Sequence, residues 1–214
     1  MTIRVNFGCG MTPTEGWVNY DNSFAIKLAN SSFLYLLAKS LRILNEAQIE
    51  NVEWNKKHKI HFADATKKIP LRDNSVECLY TSHMLEHISR EGVVFFLNEV
   101  IRFLEVDGVL RVAVPDLRIA INNYLAKEDA DSFMKEIHVE AQPISKLIDK
   151  FRLFVTGYRH HQWMYDGKSL SILMKNSGFR NVRVYKKGQT SIKNPKGLNL
   201  FERSEESVYV EGIK

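Results

Sequence analysis

RVNFGCGMTPTEGWVNYD, residues Arg4 to Asp21, is the stretch on which the fold turns. Ile3 and Val5 form a short β-branched run that leads into Asn6-Phe7-Gly8-Cys9-Gly10. After a brief polar loop, a second extended run from Trp17 to Tyr20 ends on Asp21. Glycines just past a strand let the backbone approach a ligand with no Cβ in the way. A carboxylate at the end of the next strand can accept hydrogen bonds from both hydroxyls of a ribose. Together they have the logic of a nucleoside site at the C-terminal edge of a parallel sheet. Gly-x-Gly alone carries little information, because many turns contain it.

The rest of the chain continues the alternation of strands and amphipathic stretches. Ile60-His61-Phe62-Ala63 is a short strand that stops at Asp64, and Val76 to Ser82 is another. From Glu91 to Leu104, apolar residues at Val94, Phe95, Leu97, Val100, Ile101 and Leu104 recur near a 3.6 period, which predicts a helix. Asp107-Gly108 is expected to end that segment. Val109 to Val114 is near-continuously apolar, as in a strand covered on both faces. Asp166 or Ser169 caps a helix running to Asn176, Gly178 ends it, and Val182–Tyr185 and Val208–Val210 read as a closing pair of strands. The loop from Gly188 to Gly197 is polar and reads as mobile.

Composition fits one globular domain over residues 1–214. The apolar fraction is 44% and the charged fraction 26%, and the net charge of +5 is a mild basic excess compatible with an anionic substrate. No stretch of about 18 apolar residues would span a membrane. The chain enters a strand directly, so no signal peptide is expected. Its two cysteines, Cys9 and Cys78, suggest no disulfide framework and fit a cytoplasmic location. Two segments exceed a minimal frame: helical insertions at about 23–49 and 119–158, the second broken at Gln142-Pro143. Both leave strand ends on the ligand edge, where a cap over an acceptor would sit. The first could also make peripheral contact with a membrane surface.

Taken in order, NFGCG with GWVNYD, FADATKKIPLRDNSVECLYTSHMLEHI, FLNEVIRFLEVDGVLRVAVPDL and WMYDGKSLSILMKNSGFRNVRV resemble a class I S-adenosylmethionine-dependent methyltransferase over nearly the whole length. The resemblance implies an α/β, Rossmann-like seven-stranded sheet of order 3-2-1-4-5-7-6, its last strand antiparallel, with helical caps. It implies S-adenosyl-L-methionine as cofactor. Gly8 and Gly10 would line its methionine part, Asp21 would hold the ribose, and Asp64 with Ala65 would border the adenine. Asn6, Phe7, Cys9 and Asn22 complete the cofactor set. Ser82 and His83 would face the reacting centre. Asp21 follows Gly10 too closely for the usual intervening helix, which separates dinucleotide folds by about 20 residues. That short loop argues against a nicotinamide enzyme, whose pyrophosphate needs the helix N-terminus.

Methyl transfer to an amine or hydroxyl must also remove a proton, so a base is useful. Histidine is the first candidate among the seven present. His58 and His61 read as structural or exposed, and His138 as a surface residue. His83 and His87 flank Glu86, and His160 and His161 precede Trp163. His83, His87 and His161 are therefore the catalytic candidates. His83-Met84-Leu85-Glu86-His87 also resembles the Glu-x-x-Glu-His element of metal-dependent O-methyltransferases, and RHHQW the later histidine loop of the small-RNA enzymes. Glu86, His87 and His161 could then hold a divalent ion. His83 stands where those enzymes have a first Glu, and Leu-Glu-His is common in metal-free relatives, so no metal is assigned. Of the aromatic residues at this edge, Trp17, Tyr20, Trp163 and Tyr165 could stack on a ligand or simply pack.

The expected activity is methyl transfer to a small or carrier-linked acceptor at oxygen, with a saccharide precursor favoured by the resemblance. A nucleic-acid acceptor is the enzymatic alternative. It is weakened by Ser82-His83-Met84 where an Asn-Pro-Pro-Tyr-type motif would stand and by the modest basic excess. A non-catalytic scaffold that binds S-adenosylmethionine is the other, and intact Gly8, Gly10, Asp21 and Asp64 argue against it. Oligomeric state is not readable from the sequence.

Overall fold

The computed structural model describes residues 3–139 and 160–214. The Gln142-Pro143 break, and with it the later part of the second insertion, lies outside the described residues. Strands β1 (Ile3–Phe7), β2 (Val18–Asp21), β3 (Ile60–Phe62), β4 (Val76–Ser82), β5 (Leu104–Pro115), β6 (Arg180–Tyr185) and β7 (Ser207–Ile213) form one sheet. Its order is β3-β2-β1-β4-β5-β7-β6, as the resemblance implies. β1 to β5 run parallel, and β7 is antiparallel to both β5 and β6. Strand order reverses between β1 and β4. Ligands of open α/β sheets bind outside the strand C-termini at such a switch point.

Helices α1 (Phe24–Ala29), α2 (Ser32–Ser40) and α3 (Glu46–Lys57) connect β2 to β3. The helical stretch thus runs past Ile49 to Lys57. α3 starts in a capping box in which Asn45 and Gln48 satisfy each other's backbone N–H groups. Leu28, Tyr35, Ala38 and Val52 form a small core of their own here. α2 leaves Phe33 and Leu36 exposed, as is Leu41 at its C-cap.

α4 (Arg90–Phe103) is capped by Ser89, whose hydroxyl accepts from the Gly92 N–H at 3.2 Å. It buries Val93, Phe96, Leu97, Val100 and Phe103, a three–four spacing that keeps them on one face. At roughly 1.5–3 kcal/mol for each large side chain, this face is a principal anchor of the sheet. The helix ends one residue earlier than its periodicity suggests. Leu104 is extended and already pairs with Val76 in β4. The strand then bulges at Glu105–Gly108, with Asp107 in the left-handed region at φ 64°, before pairing resumes at Val109. Asp107-Gly108 is therefore a bulge inside β5, not a loop before it.

α5 (Leu117–Lys127) and α6 (Ala130–Glu136) follow β5, and α7 (Gly167–Asn176) packs on β6 and β7. Asp166 caps α7 and forms a box with Ser169, and Gly178 at φ 100° lets the chain turn back. α4 and α7 share the main core with Leu79, Leu110, Val112 and Val210. The alternate residues Cys78, Tyr80, Ala113 and Tyr209 point to the other face, as the period of two requires, and meet Trp17, Ile192 and Leu198.

The 188–197 segment is pinned, where the sequence reads as mobile. Arg111 and Glu211, both buried, pair at 2.6 Å. Glu211 also accepts from the Thr190 hydroxyl and the Ser191 N–H, at 2.6 and 2.7 Å. Arg111 donates to the Gln189 carbonyl at 2.9 Å, so three polar contacts tie the loop to this buried pair. Among the described residues no helix is long and apolar enough to cross a membrane.

Candidate active site

No helix separates β1 from β2, as the short spacing requires. The connection is instead tied by hydrogen bonds. Gly8 and Cys9 N–H groups donate to the Tyr20 carbonyl, at 2.8 and 3.1 Å. The Asn6 amide donates to the Thr14 hydroxyl at 3.0 Å, and Asn19 holds Thr14 from the other side. Gly8 has φ 75° and Gly10 φ 51°. A Cβ on Gly8 would lie 2.9 Å from the Met84 side chain, so the cradle has room for backbone only.

Asp21 ends β2 with both oxygens engaged. Oδ2 accepts from the Gly10 N–H at 3.0 Å and Oδ1 from the Ser23 N–H at 2.8 Å. A carboxylate has about four lone-pair sites, so one on each oxygen remains for a diol. Asp64 lies at the end of β3. Burial pushes its carboxyl up, but the Thr66 N–H and hydroxyl and the Lys67 ammonium outweigh that and hold it below the usual range. Its Oδ1 is taken by Thr66, while Oδ2 meets the exposed Lys67 at 3.3 Å. Ala65 is buried and Asn22 exposed. Phe7 is buried, packed on Tyr20 and Phe96 with ring centroids at 5.8 and 5.3 Å, so its side chain belongs to the core. The Cys9 thiol is pushed up to about 12 by burial, with the Asp21 charge adding to it.

A cavity of about 380 Å³ opens beside the glycine loop. Asn6, Gly8, Cys9 and Gly10 form one wall, and Tyr80, Ser82 and His83 at the end of β4 another. The third wall is Gly197, Asn199, Glu202 and Arg203, a side the sequence reading did not anticipate. The polar β6–β7 connection was its only signal. Gly197 turns at φ 84° against the Glu15 carbonyl, where a Cβ would sit at 2.7 Å, which carries this segment across the glycine loop.

His83 is the histidine that lines the cavity; His87 and His161 do not. It sits at φ 49°, a strained conformation outside glycine, and its backbone N–H holds the Ala113 carbonyl at 2.9 Å. Its Nε2 is 2.8 Å from the Ser207 hydroxyl, and its Nδ1 is 3.0 Å from the Arg203 guanidinium. A guanidinium only donates, so Nδ1 carries the lone pair and Nε2 the proton. The Glu86 carboxylate lies 3.4 Å from Nδ1.

His87 and His161 meet on the far side of Glu86, their ring centroids 5.0 Å apart. A 3₁₀ turn, Leu85–His87, carries Glu86 and His87. The later loop docks on it: the Gln162 N–H donates to the Glu86 carbonyl and the Gln162 amide to the His87 carbonyl, both at 2.7 Å. A carboxylate and two imidazole atoms from Glu86, His87 and His161 come within 4.8 Å of one another. Burial drives the His161 imidazole down to about 4 despite the Glu86 charge, so it is neutral at physiological pH. His138, exposed as expected, stacks edge-on to His161 at 5.1 Å. His58 stacks on Trp54 and His61 tilts against Tyr20. Of the four aromatic candidates, Trp17, Tyr20 and Tyr165 are buried, and only Trp163 is substantially exposed, with Arg90 over its ring at 4.9 Å.

A family model described as a methyltransferase domain matches residues 21–112. That match and the sheet order are those of class I S-adenosylmethionine-dependent methyltransferases, enzymes that use S-adenosyl-L-methionine as methyl donor, and the chain shares their fold. No curated protein matches it. Several solved structures share the fold. A SAM-dependent methyltransferase from Archaeoglobus fulgidus aligns with TM-score 0.52 and 15% identity, over 100% of this chain and 86% of that one. A possible histamine N-methyltransferase from Thermotoga maritima gives 0.54 and 14%, over 100% and 83%. A putative methyltransferase from Haloferax volcanii, solved with the Trm112 activator, gives 0.51 and 10%, over 98% and 80%. At these identities the likeness is one of fold.

Proposed function

We propose that this methyltransferase acts on a hydroxyl of a small or carrier-linked acceptor of the saccharide class. The observation that carries the reading is the shared cavity: Gly8 and Gly10 on one wall, Ser82 and His83 on another, with Asn199, Glu202 and Arg203 closing it. An amide, a carboxylate and a guanidinium around one space suit a polyhydroxylated molecule better than a flat apolar one.

The residues present fit the donor. The Gly8 cradle admits backbone only, and Asp21 keeps one lone pair on each oxygen for a ribose diol. Asp64 Oδ2 and the neighbouring Ala65 backbone would border the adenine. Bound here, S-adenosylmethionine supplies a methyl group on a sulfonium leaving group.

The chain's own task is alignment and proton removal. An acceptor hydroxyl would replace the Arg203 N–H on His83 Nδ1, and that nitrogen would take its proton. Glu86, 3.4 Å away and buried, stabilises the imidazolium that forms. Ser207 fixes the ring through Nε2. Arg203, released from Nδ1, remains close enough to bind an anionic group on the acceptor.

The test is methyl transfer from labelled donor to a panel of nucleotide sugars, oligosaccharides, phenols, biogenic amines and short RNAs, read by mass spectrometry. Methylation confined to hydroxyls of the sugar set supports the reading. Methylation of amines or RNA alone overturns it.

A further inference from the structure

We propose that Glu86, His87 and His161 form a binding site for a divalent transition-metal ion of the zinc type. The inference comes from where the protons and lone pairs lie. Glu86 is 0% exposed, and neither carboxylate oxygen has a hydrogen-bond donor among the described residues. A buried carboxylate without a partner is costly, and native structures avoid it.

Each imidazole around Glu86 turns a lone pair toward it. His87 Nδ1 lies 3.3 Å from the His160 carbonyl. A carbonyl only accepts, so Nδ1 carries the proton and Nε2, 3.9 Å from Glu86 Oε1, is bare. The His161 ring donates to the Ile137 backbone, and its Nδ1 is buried with no partner among the described residues. His83 Nδ1 is bare by the same logic, with Arg203 donating to it. Arg90 is turned to the rings of Trp163 and Tyr165 and makes no ion pair with Glu86 among the described residues. A carboxylate thus faces bare imidazole nitrogens with no proton between them. A cation at the point where Glu86, His87 and His161 converge satisfies all three at once.

The ligand set indicates the ion. Two imidazoles and one carboxylate suit zinc and its first-row neighbours; magnesium and calcium prefer oxygen throughout. Carbonyls behind both imidazoles are the outer support that metal-binding histidines usually have. The His87 side chain is 34% exposed, which gives the ion a way in. Three protein ligands leave a position open for water or an acceptor oxygen. The ion would also lock the 160–163 loop to the end of β4, and through Glu86 it would set the orientation of His83.

The test is calorimetric titration of the EDTA-treated, dialysed protein with ZnCl2, beside MgCl2. One saturable Zn²⁺ site per chain is expected, with Mg²⁺ silent. Losing an outer-shell partner costs roughly 10–100-fold in affinity, so loss of a direct ligand in His161→Ala or His87→Asn should cost at least about 100-fold. His58→Ala, a histidine outside the cluster, should leave binding intact. Glu86→Gln is informative if it folds; the half-exposed His87 gives a decisive variant if it does not. Co²⁺ loading should give a visible absorption band that His161→Ala removes. Absence of a saturable Zn²⁺ site, binding of Mg²⁺ alone, or Zn²⁺ affinity unchanged in both histidine variants overturns the proposal. The titration needs neither donor nor acceptor, so its failure leaves the proposed reaction standing.

Discussion

Replacing Asp21 should remove most of the affinity for S-adenosylmethionine and for its demethylated product. Two of the carboxylate's lone pairs already hold Gly10 and Ser23, at 3.0 and 2.8 Å, which leaves two for a ribose diol. Hydrogen bonds to a charged group contribute about 1.5–3 kcal/mol each when their partner would otherwise go unpaired. A diol held by both oxygens gives roughly 2–3 kcal/mol of lost binding after water replaces it, which is about a 30- to 150-fold rise in Kd. Asp21→Ala also frees the Gly10 N–H, so the loop loosens and the loss should lie at the upper end. Asp21→Asn keeps one acceptor oxygen for the loop and should fall between the two. Calorimetry with the demethylated product measures both variants without turnover, and a thermal melt shows whether each is folded. A folded Asp21→Ala that binds with unchanged Kd would falsify the assignment of this carboxylate to the ribose.

Three further outcomes follow from the geometry. His83→Ala should lower turnover about 10²-fold on the true acceptor with donor affinity nearly kept, checked by comparing kcat with the Kd of the donor. Glu211→Gln leaves the buried Arg111 without its counter-charge and should cost about 3–5 kcal/mol of stability, read from denaturant midpoints. The Arg102 hydrogen bond, aided by the Ile69 N–H and the Lys68 charge, holds the Glu99 carboxyl below its ordinary range against burial. A depressed carboxyl stabilises the fold fully above its unfolded value, about pH 4.3, and that contribution fades as pH falls toward the folded value. Glu99→Gln should therefore flatten the acid side of a melting-temperature profile below about pH 4.3.

The parts of the molecule visible in the sequence are those where a local rule acts alone. Gly8, Gly10 and Asp21 are set by backbone approach and strand ends, and β4, α4 and α7 by periodicity and caps. The bulge at Asp107-Gly108 was hidden because Asp-Gly marks a turn wherever it falls; only the pairing of Leu104 with Val76 shows that the strand has already begun. Arg111 in an apolar run gave no hint of its partner, since Glu211 lies 100 residues away. Asn199, Glu202 and Arg203 belong to a connection with no periodicity, and they reach the cavity only because Gly197 turns against Glu15. The histidines were found by proximity to strand ends, but their division was not. His83 lines the cavity and His87 does not, because a left-handed backbone at His83 and a 3₁₀ turn replace the regular helix that would have put them on one face, while His161 arrives on a separate loop.

The place of β7 has a consequence for how the chain acquires its shape. β5 gains its second neighbour only from residues 207–213, which are synthesised after β6 and insert between them. Until then β5 is an open edge, long and largely apolar, of the kind that recruits other chains. Arg111 stands in the middle of that edge, and a charge there discourages intermolecular pairing. When β7 arrives, Glu211 neutralises that guard, and the residue that protects the nascent edge becomes half of the latch that closes the sheet.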